Sequence, residues 1–356
     1  MEDVPTDFRE RLDVFFAQVR RLPYSDQKAV LNLQSDLTRR AQSVLKYVED
    51  LELRSDFFWA WQSVGQYKLN AATLAVFMVA PLERLRHFDT IFKGYEREGM
   101  NDAPSIRNKL AKRPLRAMKF YTGKASFQAI ALFSPPSSQD TTTLSSQEPD
   151  EPASRVSSLG ADVLARQRDD GVCIFSGTVD PGAAYIFPHA AMERDNRAFA
   201  SMLKLFWGEE KARRWIDLIQ SDAETPRNRL FLNSHLQHLW IKAAFALKPL
   251  SQSPNEVVVQ WHWLKRSKLL PNHRIQYRNA FESAGLFESH WGEGIAYRAS
   301  GLPIETGQVF VIRSNTPDEL PSFDLLELQW NMVRVAAICG AADNEEWSRS
   351  WADDED

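Results

Sequence analysis

A phenol and several imidazoles in the second half of the chain are the side chains best suited to proton transfer or metal binding. His235 and His238 are three residues apart, which puts both on one face of a helix and is compatible with metal binding. No third ligand is visible in the sequence close to this pair, so two ordinary solvated histidines are the competing interpretation. Tyr185 and His189 are four residues apart. A phenol titrates at about pH 10 and is a poor base at neutral pH, whereas an imidazole suits that role.

The two cysteines, Cys173 and Cys339, exclude two classes of protein. Two thiols cannot form a disulfide framework or a four-thiolate zinc site, and each lies in an apolar stretch that predicts a buried side chain. The acidic N-terminus lacks the apolar core of a signal peptide. The longest apolar run, residues 71–82, is shorter than the roughly 20 residues that span a bilayer, and we predict a buried helix bent at Pro81. These features favour an intracellular location, in the cytoplasm or the nucleus.

The overall charge of the chain gives no strong attraction to nucleic acid. The 356 residues are 44% hydrophobic and 25% charged, as in ordinary globular proteins, and the formal net charge is -4. Binding to nucleic acid therefore needs a local basic patch, and the run 107–124 is the candidate. Its basic side chains are Arg107, Lys109, Lys112, Arg113, Arg116, Lys119 and Lys124, with no acidic residue among them. A solvated helix face is the competing interpretation of this run.

Residues 1–133 are predicted to form a helical domain. Between Val30 and Leu51, apolar residues recur every three or four positions, which is the pattern of a long amphipathic helix. The apolar face of this helix can pack against the next helix, which carries the sequence DFFWAWQSV, or it can pair with a second copy in a homodimer. The apolar stripe covers only about three heptads, which favours packing within the chain.

A change of composition marks the end of the helical domain. Residues 134–158 are rich in Ser, Thr, Pro and acidic side chains, so we predict a disordered linker. Residues 159–345 are predicted to form a second domain, and residues 346–356 an acidic tail. In the second domain, the sequences GVCIFSG and AAYIFP flank the turn sequence TVDPG, which predicts a hairpin of two short strands.

Two further segments of the second domain have clear patterns. The sequence NRLFLNSHLQHLWIKAAFALKPL predicts a strand or turn, then a helix, then a strand. The sequence VVVQWHWLKRS predicts a strand with Trp261 and Trp263 on one side and His262 on the other. We expect both tryptophans to pack in the core.

These segments resemble the HNH nuclease family, in particular a large fungal group of HNH-like proteins. RQRDDGVCIFSGTVDPGAAYIFP resembles the hairpin of the family, and NRLFLNSHLQHLWIKAAFALKPL resembles its Asn-to-His helix segment. GQVFVIRSN and LPSFDLLELQWNMVRVAAICGAA resemble the C-terminal signature of the group. The resemblance covers about residues 165–342 and implies an α+β fold. In this fold a helical N-terminal domain and a disordered linker precede an HNH-like ββα-metal domain with extra helices and strands.

The resemblance also implies the chemistry of the site. In the family, a first His takes a proton from the attacking water, an Asn fixes that His, and a last His helps to hold a divalent metal ion. Tyr185 stands at the position of the first His, Asn228 at that of the Asn, and Gln237 at that of the last His, with Trp240 on the following aromatic position. Gln is a weak ligand for such metals. His238 is turned by about 100° on the helix, although a register shift at the helix start could bring it into place.

His189 is the candidate replacement for the missing base. Pro188 should end the strand that carries Tyr185, which leaves His189 on the turn that departs from the site. The candidate catalytic residues are therefore Tyr185, His189, Asn228 and His238. Each has a structural alternative: an aromatic that lines a cleft, a loop histidine, a helix N-cap or turn residue, and a solvated helix histidine, respectively.

Three functions fit this degenerate motif. We favour a repurposed HNH-fold enzyme that carries out acid/base chemistry on a small organic molecule of the secondary-metabolite type, because both histidines of the motif are replaced. This function requires no cofactor. A DNA or RNA endonuclease with one divalent metal is an alternative, supported by the resemblance and the basic run 107–124. The third is a non-catalytic binding or scaffold protein that pairs through its N-terminal helices. No membrane partner is expected.

Overall fold

The computed structural model describes residues 48–64, 69–97, 103–122, 153–188, 196–265, 267–275, 279–286 and 296–341. In these ranges the protein is a mixture of helices and small antiparallel sheets, as predicted. The helices are α1 (Leu51–Val64), α2 (Ala71–Val79), α3 (Leu82–Arg97), α4 (Ala103–Thr122), α5 (Ala153–Arg168), α6 (Arg197–Trp207), α7 (Glu209–Asp222), α8 (Ser234–Ile241), α9 (Asn279–Ser283) and α10 (Phe323–Cys339). The strands are β1 (Gly182–Tyr185), β2 (Arg229–Leu232), β3 (Phe245–Ser253), β4 (Glu256–Trp263) and β5 (Val309–Arg313).

Several predictions concern residues outside these ranges. They are the apolar stripe as far as residue 47, residues 134–152 of the predicted linker, His189, and the acidic tail. At the end of the stripe, Val48 is buried and Leu51 packs against the hydrophobic core of the same chain. These two residues therefore contribute to packing within the chain.

The helical prediction for the N-terminal part is confirmed where the structure describes it. Helices α1 to α4 fill most of residues 51–122, and all nine residues of α2 are buried. Asn70 caps α2, because its side chain accepts a hydrogen bond from Thr73 N at 2.9 Å. None of the helices in the described part of the chain has the length and apolar composition that a membrane span requires.

The apolar run 71–82 is two helices, so the prediction of one bent helix is wrong. Helix α2 ends at Val79 and α3 begins at Leu82. Ala80, the residue before Pro81, has φ -57° and ψ 151°, which is an extended conformation. The proline ring clashes with a helical residue in front of it, so the chain leaves the helix at this point and restarts after the proline.

The boundary of the predicted linker also needs a correction. Helix α5 begins at Ala153, so residues 153–158 are helical, although they were predicted to be disordered. The C-terminal half of α5 packs against the protein through the buried Ala161 and Ala165. A helix that is held at one end extends at little further cost, because each added residue contributes one more hydrogen bond.

Helices from both sides of the linker share one hydrophobic core. Phe77 of α2 meets Phe206 of α6 with 5.9 Å between the ring centroids. Phe120 of α4 lies 5.0 Å from Phe199 of α6, and Tyr121 lies 5.8 Å from Phe187. The predicted N-terminal helical region therefore packs directly on the part of the chain that carries the candidate site.

The pairing of the first strand differs from the predicted hairpin. Strand β1 pairs antiparallel with β2, and Tyr185 stands opposite Arg229. The segment before β1 closes a tight loop held by a hydrogen bond from Cys173 N to Thr178 O at 2.8 Å, with a single bridge between Val172 and Val179. Gly177 in this loop has φ +71°, a left-handed conformation that glycine adopts without strain and that ends an extended strand.

Strands β3, β4 and β5 form an antiparallel sheet in that order. This confirms the predicted strand, helix and strand over residues 229–253 and the strand that carries Trp261. Trp261 stacks on Phe245 at 3.8 Å and lies 5.0 Å from Trp263, whereas His262 meets Trp330 of α10 on the other face at 4.8 Å. The predicted sides of this strand are therefore confirmed. Both cysteines are buried and free, as predicted.

Candidate functional site

Asn228 ties the chain that leaves β1 to the turn that precedes β2. Its side chain is fully buried, accepts a hydrogen bond from Phe187 N at 2.8 Å and donates to Phe187 O at 3.1 Å. It also donates to Ala223 O at 3.2 Å. Because no part of Asn228 is exposed, it does not line an open cleft. Its contacts fit the turn interpretation.

Tyr185 ends β1 and lies against a guanidinium group. The Cζ atom of Arg229 is 4.5 Å from the centroid of the Tyr185 ring, and Arg229 Nη2 donates to the Tyr185 hydroxyl at 3.2 Å. The indole of Trp240, on α8, donates to Tyr185 O at 3.0 Å. Both ends of Tyr185 are therefore held by neighbours that come from different elements.

Arg229 is the centre of an ion cluster that the sequence analysis missed. Its side chain is completely buried and pairs with Asp162 of α5 and with Glu224, at 3.1 Å from the latter. It also donates to the carbonyl oxygens of Ala223 and Thr225 at 3.2 and 3.0 Å. Burial raises the pKa of the Asp162 carboxyl, and the charge of Arg229 partly counteracts this shift. A charged residue inside the apolar strand sequence RLFL is the one local sign of this cluster.

A second buried ion pair, between Arg168 and Asp169, contacts the backbone of the strand that carries Arg229. Arg168 and Asp169 are both buried and lie 2.7 Å apart. Arg168 also donates to Arg229 O at 3.0 Å, and Asp169 accepts from Phe231 N at 3.2 Å. Burial raises the pKa of the Asp169 carboxyl, against the lowering effect of Arg168. These contacts fix the C-terminal end of α5 on β2.

Helix α8 presents Gln237 to the sheet and its histidines to solvent. Asn233 caps the helix by accepting from Leu236 N at 2.8 Å. The Gln237 side chain lies against Gly182 of β1 and fills the space that a Cβ atom would need there. His235 and His238 are both exposed. In this register His238 does not take the place of Gln237, so the rescue by a helix shift does not occur in the structure.

The donor set around Tyr185 does not fit a divalent metal ion. In the described ranges, no three His, Cys, Asp or Glu side chains come together as a metal site would need. Arg229 connects Tyr185 to two carboxylates, those of Asp162 and Glu224. Both are already paired with the Arg229 guanidinium. Protein sites for divalent metals usually include carboxylate or imidazole donors, whereas a phenol hydrogen-bonded to a guanidinium and an amide packed on a glycine are poor ligands.

Strands β1 and β2 with helix α8 form a strand–strand–helix unit. The two strands pair antiparallel, α8 follows β2 directly, and α6 and α7 are inserted between the strands. Residues 173–248 match the model of a family described as HNH endonuclease. This segment is therefore HNH-nuclease-like, and it contains Tyr185, Asn228 and Gln237. No curated protein and no solved structure gave a significant match to the chain.

A cleft lined by described residues lies away from this unit. It has a volume of about 550 Å³ and lies between the N-terminal helices, β3, β4 and α10. Neither Tyr185 nor Asn228 lines it. Its polar lining includes Lys248 of β3, His262 of β4 and Arg334 of α10. Sequence patterns gave no sign of this set, because its members come from three separate elements.

His262 is held neutral in this cleft. Burial, followed by the positive charges of Lys248 and Arg334, lowers the pKa of the His262 imidazole to about 3. Its Nε2 atom is 2.9 Å from Gln260 Oε1. An imidazole with so low a pKa is a weak base at neutral pH, so His262 contributes shape and hydrogen bonding to the cleft and no charge.

We expect the stability of the protein to fall as the pH drops from about 6.5 towards 3. In this pH range His262 takes up a proton in the unfolded protein but not in the folded protein, so the unfolded state binds more protons. A His262→Gln variant should lack this contribution. Its urea midpoint should therefore approach that of the wild type as the pH falls from 7 to about 4. His235→Gln, at an exposed histidine, should leave the pH profile unchanged, and equal profiles for both variants would contradict the prediction.

Proposed function

We propose that this HNH-nuclease-like protein is not an efficient nuclease and that it acts on a small organic molecule. The observation that carries the proposal is the guanidinium of Arg229 beneath Tyr185, at the motif position of the general base. A general base must be free to accept a proton from water. The Tyr185 hydroxyl instead accepts a hydrogen bond from Arg229 at 3.2 Å.

The charge of this arrangement supports the same proposal. The two carboxylates closest to this arrangement, Asp162 and Glu224, are already paired with the Arg229 guanidinium, so neither is a free ligand for a divalent cation. Gln237, at the motif position of the metal ligand, packs on Gly182 and offers only an amide. Loss of a general base alone costs a factor of about 100 to 10,000 in rate.

The test is plasmid cleavage in magnesium, manganese or zinc. We expect no cleavage by the wild type above the buffer blank in any of the three metals. A Tyr185→His, Gln237→His double variant should gain measurable cleavage if the protein has kept the HNH fold and has lost only the two histidines. Cleavage by the wild type that falls in a Tyr185→Phe variant would overturn the proposal, because the phenol would then be a working base.

The alternative of a nucleic-acid-binding protein has some support of its own, since the family match suggests nucleic acid as a partner. On α4, Lys112 and Arg116 are exposed, one turn apart, and neither forms an ion pair with a described residue. Such a face can neutralise phosphates, but it equally well serves as a solvated helix face. A wild type that cleaves the plasmid would favour this alternative.

The small-molecule part of the proposal is supported by the cleft beside His262. Its volume of about 550 Å³ is within the usual range of ligand pockets. The exposed histidines of α8 and the phenol of Tyr185 remain candidates for acid/base chemistry. His189, which lies outside the described residues, remains one as well.

A further inference from the structure

We propose that the cleft between β3, β4 and α10 binds a small carboxylate carried on an apolar body, with the carboxylate held by Lys248 and Arg334. This inference names the ligand class for the small-molecule part of the proposed function. It assigns the ligand to a site that shares none of the HNH motif residues. It does not require that the HNH unit be inactive.

Trp330 lies close to both cations of the cleft lining. The Cζ atom of Arg334 is 4.1 Å from the centroid of the Trp330 ring, and Lys248 Nζ is 6.0 Å from the same centroid. Arg334 is further held by hydrogen bonds to Trp330 O at 3.1 Å and Asn331 Oδ1 at 3.3 Å. Both cations therefore lie within 6.0 Å of the centroid of one aromatic ring, which attracts each of them.

The charge of Lys248 is not balanced by a described acidic residue. Its Nζ atom forms no ion pair or hydrogen bond with any residue in the described part of the chain. Glu327, an acidic residue of the cleft lining on α10, pairs with Lys211 at 2.5 Å. An anion that enters the cleft would therefore meet two cationic side chains of its lining, Lys248 and Arg334. Ammonium and guanidinium groups both form short charge-assisted hydrogen bonds with carboxylates.

His262 lies within the electrostatic reach of both cations. After burial, which has the largest effect, Lys248 and Arg334 both act to lower the pKa of its imidazole. A carboxylate bound between them would cancel part of this effect. The pKa of His262 should then rise, although burial would still keep it below the usual value.

The remaining walls decide what the carboxylate is attached to. One wall is apolar and is formed by Met78, Val79, Pro81, Leu82 and Trp207. The margin carries the exposed acidic residues Glu49, Asp50 and Glu83, which interact with the buried Arg54 of the same lining. These negative charges disfavour a polyphosphate or a nucleic acid. The combination of a cationic corner, an apolar wall and an acidic margin fits a molecule with one carboxylate and an apolar body.

The experiment is titration calorimetry with three probes: 2-naphthoate, octanoate and inorganic phosphate. We expect 2-naphthoate or octanoate to bind at one site per chain, and phosphate to bind more weakly or not at all. Lys248→Met should weaken binding by about tenfold or more, since it removes the uncompensated charge. Lys268→Met, at an exposed lysine that does not line the cleft, is the matched control and should bind like the wild type.

A second readout separates a local effect from a folding defect. The NMR titration of the His262 ring should show a higher pKa with 2-naphthoate bound than without it, and this shift should be absent in Lys248→Met. The inference is overturned if neither carboxylate binds up to about 10 mM, or if Lys248→Met binds as well as the Lys268→Met control. Phosphate binding that equals naphthoate binding would also overturn it, because the apolar body would then play no part.

The two proposals can fail separately. Plasmid cleavage by the wild type together with naphthoate binding would contradict the loss of nuclease activity and leave the carboxylate site in place. A wild type that neither cleaves the plasmid nor binds a carboxylate would contradict the carboxylate site and leave the loss of nuclease activity in place.

Discussion

Replacement of Arg229 by methionine should lower the free energy of unfolding by about 3 kcal/mol. The guanidinium is completely buried and pairs with Asp162 and Glu224, whose side chains are 31% and 23% exposed. Without Arg229, both carboxylates lose their cation, and the carbonyl oxygens of Ala223 and Thr225 lose a donor. Since the two carboxylates retain some contact with water, the cost should be at the lower end of the range for broken buried ion pairs. Urea unfolding at pH 7 measures it.

Arg313→Met is the control for this prediction. Arg313 also forms an ion pair with a glutamate, Glu256, at 3.2 Å, but the two side chains are 45% and 38% exposed. The loss of this surface pair should cost less than about 1 kcal/mol. A triple variant, Arg229→Met with Asp162→Asn and Glu224→Gln, should recover part of the lost stability, because it removes the stranded charges. An Arg229→Met protein as stable as Arg313→Met would show that the cluster is not a structural centre.

Replacement of Asn228 by alanine should cost about 3 kcal/mol, the second large effect that we expect. The side chain makes three hydrogen bonds, to Phe187 N, Phe187 O and Ala223 O, and is fully buried. A buried polar group that loses its partner costs about 1–3 kcal/mol, so several of them add up to a large loss. Urea unfolding gives the total, and amide hydrogen exchange at Phe187 should show a local loss of protection.

The matched control for Asn228 is Asn233→Ala, five residues further along the chain. Asn233 accepts from Leu236 N as the N-cap of α8 and donates to the hydroxyls of Ser176 and Thr178, but it is only partly buried. Loss of a cap costs about 1 kcal/mol. If Asn233→Ala lowered the stability more than Asn228→Ala, the hydrogen bonds between Asn228 and Phe187 would contribute less to stability than their burial implies.

Together these two predictions assign a role in stability to the residues at the HNH motif positions. Asn228 is explained by its hydrogen bonds to the chain around it, without a catalytic histidine to orient. Tyr185 is explained by Arg229, whose guanidinium lies against its ring and donates to its hydroxyl. The motif positions can therefore hold the strand–strand–helix unit together while the chemistry that the family performs there is absent, as we propose.

Local patterns in the sequence were enough to predict several elements. The buried apolar run of α2, the alternation around Trp261, and the strand and helix that follow Asn228 depend on neighbours a few residues apart. Their periodicity determines which face is buried. The spacing between Asn228 and Trp240 is fixed by the chain within one short segment, and their assignment to motif positions stays a prediction.

The tertiary structure alone decided which strands and charges meet. The hairpin sequence TVDPG was read as a turn between paired strands, yet β1 pairs with β2 from beyond two inserted helices. Arg229 finds one carboxylate on α5, and the cleft collects Lys248, His262 and Arg334 from three elements. Strand pairing over a long separation, and the balance between burying a charge and pairing it, depend on how the elements pack together. No local pattern along the chain encodes either of them.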